Sequence, residues 1–312
     1  MPIKVRHNGV DKFVAGIQAF DAGVDKEVPQ AYAMDSGVDK EVFSSGPSIY
    51  EWGRYTDETP TRKGFSLISA GNSVSSAVTT YKTLYIWNSD LTPYLISSGI
   101  ESIEAGLSRI YALDVDGKIY AWGNDFSGSV ADTPTGSGFV SVAAGREHAY
   151  ALDFNGYVYA WGFDSSNQVS GSPTGSGYTK IAAGQFNGYA LDGGGYITAW
   201  GNNSYGQISD VPLGSGFIDI SGGKRFVVAL DSGGYIHTWG SNSNGELDGV
   251  PSGSGFTSVA CGRYHTIALD SNGEIHAWGN NNYNAVSDTP TGSGFIAISS
   301  QHSTNLALKE EN

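Results

Sequence analysis

Cysteine is almost absent from this sequence, which holds a single one, Cys261, among 312 residues. One cysteine cannot form an internal disulfide, and this excludes a fold that depends on disulfide bonds. Five of the six other copies of a repeat described below carry alanine or glycine where Cys261 stands, and the last carries serine. We therefore expect Cys261 to be a small buried residue.

Basic residues are also scarce. The chain has 17 lysines and arginines but 31 aspartates and glutamates, which gives a net charge of −14. Such a charge argues against a nucleic-acid partner, because binding to the phosphate backbone needs clustered cations. No apolar run is long enough to cross a membrane, and the N-terminus lacks the apolar core of a signal peptide. We expect a protein that is made in a host cytoplasm and does not insert into membranes.

Motifs for catalysis, phosphate binding and metal ligation are missing as well. The sequence lacks a Gly-x-Ser-x-Gly elbow, a Gly-x-Gly-x-x-Gly fingerprint and a phosphate-binding loop. No two histidines have a zinc-binding spacing, and His148 and His265 share a repeat position with Asn187 and Phe226. We therefore expect no enzymatic activity, no cofactor and no metal site.

What the sequence does contain is a ladder of seven tryptophans, spaced 35 or 39 residues apart. A self-repeat of that length indicates a solenoid, a propeller or another array. Glycine is abundant, with 44 copies, which suits many short strands joined by tight turns. The tryptophans are Trp52, Trp87, Trp122, Trp161, Trp200, Trp239 and Trp278.

One unit of the repeat, residues 139–177, predicts three strands. Phe-Val-Ser-Val-Ala-Ala-Gly opens the unit, and His-Ala-Tyr-Ala-Leu-Asp follows a turn at Arg146-Glu147. Tyr-Val-Tyr-Ala-Trp-Gly comes after a second turn, which ends at Gly156. Segments rich in β-branched and aromatic residues, bounded by Gly, Asn and Asp, are typical of strands. A three-stranded sheet cannot bury both of its faces alone, so neighbouring units must stack.

The opening strand recurs seven times, and its last copy begins at Phe295. This copy continues to Leu308 without reaching a Trp strand, whereas the first Trp strand, residues 49–53, has no opening strand before it. We predict an all-β fold, a seven-bladed β-propeller of three-stranded antiparallel blades. Residues 49–53 would pair with residues 295–308 and close the ring, which hides the sheet edges.

The pattern Ala-Ala-Gly-x-x-His-x-x-Ala-Leu-Asp-x-x-Gly-x-Val-x-Ala-Trp-Gly-x-Asn-x-x-Gly-Gln resembles the regulator-of-chromosome-condensation repeat. The short unit is most similar to the bacterial branch that includes the propeller-type β-lactamase inhibitor proteins. The resemblance covers residues 47–312 and implies the fold; it says little of function, because this fold hosts unrelated binding proteins. The Trp87 unit departs from the pattern, with Trp-Asn in place of Trp-Gly.

The first 46 residues carry a second repeat, in which Gly-Val-Asp-Lys recurs with a period of 14. Each unit predicts a small hairpin; in the second unit, residues 17–20 form one strand and residues 24–28 the other. Hairpins this small cannot bury a core of their own. We predict that residues 1–46 are an anchoring or oligomerisation module, which resembles N-terminal modules of tailed-phage virion proteins. The alternative is a disordered leader.

The order of the strands places two sets of loops on one face of the ring, called the top face below. The turn after each opening strand and the loop after each Trp-Gly lie there, while the Asp-x-x-Gly turns lie at the bottom. The top loops vary most between units, and they carry the Arg, aromatic and Asn side chains typical of recognition surfaces. The alternative is that exposed loops simply tolerate variation. The predicted binding residues are Arg146, Phe186, Lys224, Arg225, Phe226, Arg263, Tyr264, Asn203, Tyr205, Asn281 and Tyr283.

Together these features favour a non-enzymatic structural protein of a bacteriophage virion, such as a tail fibre, a spike or a capsid appendage. Residues 1–46 would bind other virion proteins and form a homo-oligomer, with a trimer favoured, while the propeller would recognise a glycan or protein of the host surface. The alternative is a free protein-binding propeller, an inhibitor or scaffold like the β-lactamase inhibitors. Guanine-nucleotide exchange on a chromatin-bound GTPase fits least, because the units are short and no basic tail is present.

Overall fold

The computed structural model describes residues 3–7, 10–14, 46–53, 60, 63–88, 91–96 and 99–310. Its secondary structure is antiparallel β-sheet with two short 3₁₀ turns, at Phe126–Gly128 and Asn282–Asn284. Near the N-terminus, β1 (Ile3–His7) pairs with β2 (Val10–Val14) in a hairpin. The other hairpins of the 14-residue repeat, predicted between residues 15 and 45, lie outside the described residues.

Seven further sheets follow one another around a closed ring, and each is one blade, numbered I to VII. Blade I comprises β4 (Phe65–Ser69), β5 (Ser75–Thr79), β6 (Leu84–Asn88) and β7 (Leu91–Ile96). Blade II comprises β8 (Ile100–Ala105), β9 (Arg109–Asp114) and β10 (Ile119–Gly123); blade III comprises β11 (Phe139–Ala144), β12 (His148–Asp153) and β13 (Val158–Gly162). Blade IV comprises β14 (Tyr178–Ala183), β15 (Asn187–Asp192) and β16 (Ile197–Gly201); blade V comprises β17 (Phe217–Gly222), β18 (Phe226–Asp231) and β19 (Ile236–Gly240). Blade VI comprises β20 (Phe256–Cys261), β21 (His265–Asp270) and β22 (Ile275–Gly279); blade VII comprises β23 (Phe295–Gln301), β24 (Thr304–Lys309) and β3 (Ser48–Gly53).

Blade VII confirms the predicted closure of the ring. The strand β3 pairs with β24, with Trp52 opposite Asn305, and β24 pairs with β23. The last blade is thus built from both ends of the propeller, and no blade is left with an unpaired inner strand. The first strands of neighbouring blades contact one another all the way round, so they surround the axis.

Blade I carries a fourth strand beyond the three that the repeat predicts. In the other six blades the residue after tryptophan is a glycine with φ between 94° and 114°, which turns the chain out of the sheet. In blade I this residue is Asn88, which stays in β6, and the chain returns as β7. The strand β7 contains Pro93, and an outer edge is where a strand tolerates a proline.

Four of the seven tryptophans join their blade to the one before it through an indole hydrogen bond to a backbone carbonyl. Trp200 of blade IV donates its indole N–H to the Gln168 carbonyl, in the top loop of blade III, at 3.0 Å. Its ring packs edge-on against Tyr150 of blade III, with ring centroids 5.0 Å apart. Trp161, Trp239 and Trp52 donate in the same way, at 3.1, 3.0 and 3.0 Å, to carbonyls of the preceding blade.

The structure also bears on the expected burial of Cys261 and on membrane-spanning helices. Cys261 is buried as expected, and burial raises the pKa of its thiol to about 12, so the group is protonated and unreactive at neutral pH. Within the described residues, neither 3₁₀ turn has the length or the apolar character that a membrane-spanning helix needs.

The indole hydrogen bonds predict a difference between two tryptophans. Trp200→Phe removes the bond to Gln168, whereas Trp278→Phe removes none, because the Trp278 indole nitrogen has no partner. We expect Trp200→Phe to lower the free energy of unfolding by about 1 kcal/mol more than Trp278→Phe does. Urea denaturation followed by circular dichroism measures both values. Equal losses would show that the indole bonds contribute nothing beyond packing.

Candidate functional site on the top face

The two sets of top loops lie on the same face of the ring, as predicted. In blade III, Phe163 follows the Trp strand and Glu147 lies in the turn after the opening strand. The backbone N–H of Phe163 donates to the Glu147 carbonyl at 2.8 Å. Blades IV and V repeat this bond between Asn202 and Phe186 and between Ser241 and Arg225. The bond fixes the outer loop against the inner turn, so both present their side chains on one surface.

A shallow cup opens at the centre of the top face, where the axis emerges. Its side chains come from one repeat position, directly after the last residue of the opening-strand motif. That last residue of the motif is a glycine in five of the six blades concerned. We call this set the axial cup: Leu107, Arg146, Gln185, Lys224, Arg263 and His302. Only Arg146, Lys224 and Arg263 were predicted as binding residues. The other members could have been found from their shared place in the repeat.

Positive charge is concentrated around this cup. The turns that follow the seven opening strands contain four basic residues and one acidic residue, Glu147, and a fifth basic residue, Arg109, begins the strand after its turn; the whole chain has 17 basic and 31 acidic residues. Four of the five, Arg146, Lys224, Arg225 and Arg263, are at least partly exposed, and we call them the cationic collar. The fifth, Arg109, is buried at 2% exposure. The surface of this acidic protein therefore has a positive centre on its top face.

Two collar residues, Lys224 and Arg263, form a compact group with Tyr264. The Lys224 ammonium donates to the Tyr264 hydroxyl at 2.7 Å, and the Arg263 guanidinium lies 5.1 Å from the centre of the Tyr264 ring. Partial burial raises the pKa of Tyr264, but the Lys224 hydrogen bond and the Arg263, Lys224 and Arg225 charges outweigh it and lower that pKa below its usual value. The phenol oxygen is thus a good acceptor in a cationic setting.

Two further cation–aromatic pairs extend the collar on either side. The Arg225 guanidinium lies 4.6 Å from the centre of the Tyr205 ring, which belongs to the outer loop of blade IV. The Arg146 guanidinium lies 5.9 Å from the Phe186 ring centre and 3.4 Å from the Glu147 carboxylate. Such stacking is worth about 0.5–1 kcal/mol at exposed sites and holds each arginine in place.

Phe226 is a correction to the predicted binding set. Its side chain is only 1% exposed and packs in the core with Val228, Phe256 and Trp278. The strand β18 begins at Phe226, so the turn ends one residue earlier than the prediction required. Phe226 cannot contact a partner from the surface, and its role is in the packing of blades V and VI.

The two predicted asparagines lie on the top face, but their side chains organise their own loops. Asn203 Oδ1 accepts the backbone N–H groups of Ile208 and Ser209, at 2.9 and 3.1 Å. Asn281 Oδ1 does the same for Val286 and Ser287, at 2.9 and 2.8 Å. Each asparagine therefore keeps only its amide N–H₂ group for a partner. Tyr283 is 55% exposed beside Asn281, in the outer loop of blade VI.

The bottom face differs from the top in its chemistry. The aspartates of its turns are structural, since Asp153 Oδ1 accepts the backbone N–H groups of Asn155 and Tyr157, both at 2.9 Å. Blades II, IV, V and VI repeat this pattern. Tyr157, Tyr196 and Tyr235 are exposed there at one repeat position in three successive blades. The bottom face thus offers aromatic rings without a cationic collar.

One group of possible metal ligands occurs among the described residues: Asp270, Glu274 and His276, with donor atoms within 4.8 Å of one another. Asp270 Oδ2 lies 2.9 Å from His276 Nε2, and Asp231 makes the same pair with His237 at 2.8 Å, where no third ligand is present. The aspartate–histidine pair is therefore part of the repeat, and it gives no evidence for a metal centre.

A comparison with protein families finds four regulator of chromosome condensation (RCC1) repeats, at residues 139–168, 178–207, 217–246 and 256–285. These four units of the propeller are therefore similar to RCC1 repeats. These matches coincide with blades III to VI, in which the spacing of 39 residues is strictest. Blade II, the degenerate blade I and the shared blade VII are not matched.

Solved structures give the same fold. Prp20p from Saccharomyces cerevisiae superposes with a TM-score of 0.72 and 17% identity, over 86% of this chain and 92% of that chain. Human WBSCR16 gives 0.68 and 14%, over 85% and 99%. The ectodomain of the receptor kinase CR4 from Physcomitrella patens gives 0.60 and 23%, over 75% and 67%. No curated protein matches the sequence.

Beneath the collar, His148 makes stability depend on pH. Its side chain is fully buried and neither ring nitrogen has a hydrogen-bond partner, so burial lowers its pKa from 6.5 to about 4. Between these pH values the unfolded chain binds a proton that the folded chain does not, so the free energy of unfolding falls as the pH falls. The shift corresponds to about 3 kcal/mol at most.

We expect His148→Asn to flatten this dependence between pH 6.5 and pH 4, because asparagine stands at the same position in the next blade, as Asn187, and does not titrate. Urea midpoints of the parent and the variant at pH 7 and pH 4.5 measure the effect. Part of the slope should persist in the variant, since burial also lowers the pKa of His265. An unchanged slope would contradict the assignment to His148.

Proposed function

We propose that this propeller is a non-enzymatic binding module that takes a protein partner on its top face. The observation that carries the proposal is the cationic collar, whose arginines and lysine stack on Phe186, Tyr205 and Tyr264. Arginine and tyrosine contribute most of the binding energy in many interfaces. Because these side chains already hold one another in place, a partner loses little additional conformational freedom in ordering them.

An acidic protein surface fits this collar best. Complementary charge speeds association and selects among partners, and the acidic remainder of the chain repels acidic molecules from other orientations. A partner guided in this way would meet the top face and no other part of the ring. Prp20p, which shares the fold, is described as binding Gsp1p and histones, and this supports a protein partner over other classes.

The comparisons favour the free protein-binding propeller over the bacteriophage virion role. Nothing in them points to a virion, a tail fibre or a host-surface receptor. The virion role, its location on a particle and the anchoring function of residues 1–46 rest on the 14-residue repeat alone. They stay predictions, together with the trimer that this module would form.

Photo-crosslinking in the cells that express the protein tests which face binds. A benzoylphenylalanine at Tyr205, beside Arg225, should form adducts with a partner protein. The double variant Arg225→Ala, Tyr264→Ala should reduce these adducts by about tenfold or more, since each hot-spot side chain contributes about 1–2 kcal/mol.

The bottom face provides the matched control. Benzoylphenylalanine at Tyr235 should give no specific adduct, and the double variant Tyr196→Ala, Tyr235→Ala should leave the Tyr205 adducts unchanged. These substitutions remove at least as much exposed aromatic surface as the top-face pair but no positive charge. Specific adducts that form from position 235 and disappear when Tyr196→Ala is added would contradict the proposal and move the site to the other face.

The oligomeric state tests the prediction for residues 1–46. Multi-angle light scattering of the full chain should give three times the chain mass of 32.8 kDa. A mass of 32.8 kDa at micromolar concentration would contradict a self-associating module.

A further inference from the structure

The axial cup has the size of one small polyatomic group. Its volume is about 40 Å³. One water needs roughly 10–15 Å³ on this scale, so the cup holds about three waters or one group such as a carboxylate or a phosphate. Leu107 closes one side, and polar or charged side chains form the rest.

Glycines keep the floor of the cup open. A Cβ on Gly145 would lie 2.2 Å from the His148 ring, and one on Gly262 would lie 2.1 Å from the His265 ring. The buried rings below therefore press directly on the backbone, and no side chain can occupy these floor positions. Any group that fills the cup must come from outside the chain.

Three backbone N–H groups around the cup already have hydrogen-bond partners, so side chains would make most of the contacts with a ligand. The N–H of Gln185 donates to the Gly223 carbonyl at 3.1 Å, and the N–H of Lys224 donates to the Arg263 carbonyl at 3.2 Å. The N–H of Arg263 donates in the same way to the His302 carbonyl, at 2.6 Å. By contrast, the Nε–H of Arg263 is buried and has no hydrogen-bond partner. An unpaired buried donor on a guanidinium favours an anionic acceptor.

A buried cation below the cup adds to its positive potential. Arg109 donates its Nη1–H to the Arg146 carbonyl at 2.9 Å and its Nε–H to the Asn124 carbonyl at 3.3 Å. Within the described part of the chain, no carboxylate lies within ion-pair distance of Arg109. Glu147 is the one acid in the adjoining turns, and it pairs with Arg146 outside the cup. The charge of Arg109 therefore remains unneutralised beneath the floor.

We propose that the axial cup binds one oxyanion group, a carboxylate or a phosphate, which the protein partner of the top face presents. The inference rests on the proposed function for the source of the group, but the cup itself binds the free anion. Arg263, Lys224 and Arg146 supply the positive charge and the donors. In this arrangement the partner inserts one acidic or phosphorylated side chain on the axis. The aromatic rings that stack on the collar contact the partner's surface around that side chain.

Calorimetry on the full chain, in a buffer with little chloride, tests the cup with two probes, inorganic phosphate and acetate. Each should bind with one-to-one stoichiometry, and the tighter of the two identifies the group that the partner presents. Lys224→Gln removes one cation, and Gln185→Glu places a carboxylate in the cup with almost no change of shape. Both should weaken binding at least about tenfold, the loss expected for one charged hydrogen bond.

Lys118→Gln is the matched control, because it removes the same charge from an exposed turn on the bottom face. It should leave the affinity for both anions unchanged. If neither phosphate nor acetate binds, the inference is overturned. An equal loss in Lys118→Gln would do so as well, since it would show binding to overall charge only.

Crosslinking at Tyr205 separates the failure of this inference from failure of the proposed function. If the cup receives the partner's anion, Gln185→Glu should reduce the adducts about as much as it reduces anion affinity. Adducts that survive Gln185→Glu but disappear in Arg225→Ala, Tyr264→Ala would overturn the cup as a contact and leave the top face as the binding surface. Adducts that survive both would overturn both.

Discussion

The contact between neighbouring blades is the constraint on which this structure depends. A three-stranded sheet of this length has two faces to cover, and only the next blade can cover each of them. The tryptophan of one blade makes this contact specific, because it fills the space beside the preceding blade's middle strand and donates to a carbonyl of that blade's top loop. Packing and loop position are therefore set by the same residue.

This coupling explains why the top face can be both variable and well ordered. The outer loops are held at both ends, by the tryptophan of the next blade and by a backbone bond to the inner turn. Asn203 and Asn281 add internal bonds. Side chains that none of these bonds use, such as those of the cationic collar, are free to differ between blades. A rigid ring thus presents a set of residues that can change without loss of the fold.

The sequence predicted the fold closely and the candidate site in part. Seven blades, the shared blade VII and the common face of the two loop sets all follow from the spacing of the repeat and the order of its strands. Phe226 was assigned wrongly because a shift of one residue at the start of a strand exchanges a surface position for a core position. Asn203 and Asn281 carry recognition chemistry by type, but their hydrogen bonds depend on loop geometry that a pattern does not contain. The fourth strand of blade I was not predicted, because it follows from a missing glycine and not from a repeated motif.

By itself, the sequence determined the number of blades, the closure of the ring and the absence of recognised catalytic motifs, because these depend on residue types at fixed spacings. Only the tertiary structure decided that five basic residues scattered between positions 109 and 263 share one small area. Closure of the ring brings the same turn of every blade to the axis, and this makes charges that are far apart in the chain into neighbours. Tertiary structure also decided which side chains the loops use internally, since a hydrogen bond depends on distances that appear only when the blades have packed.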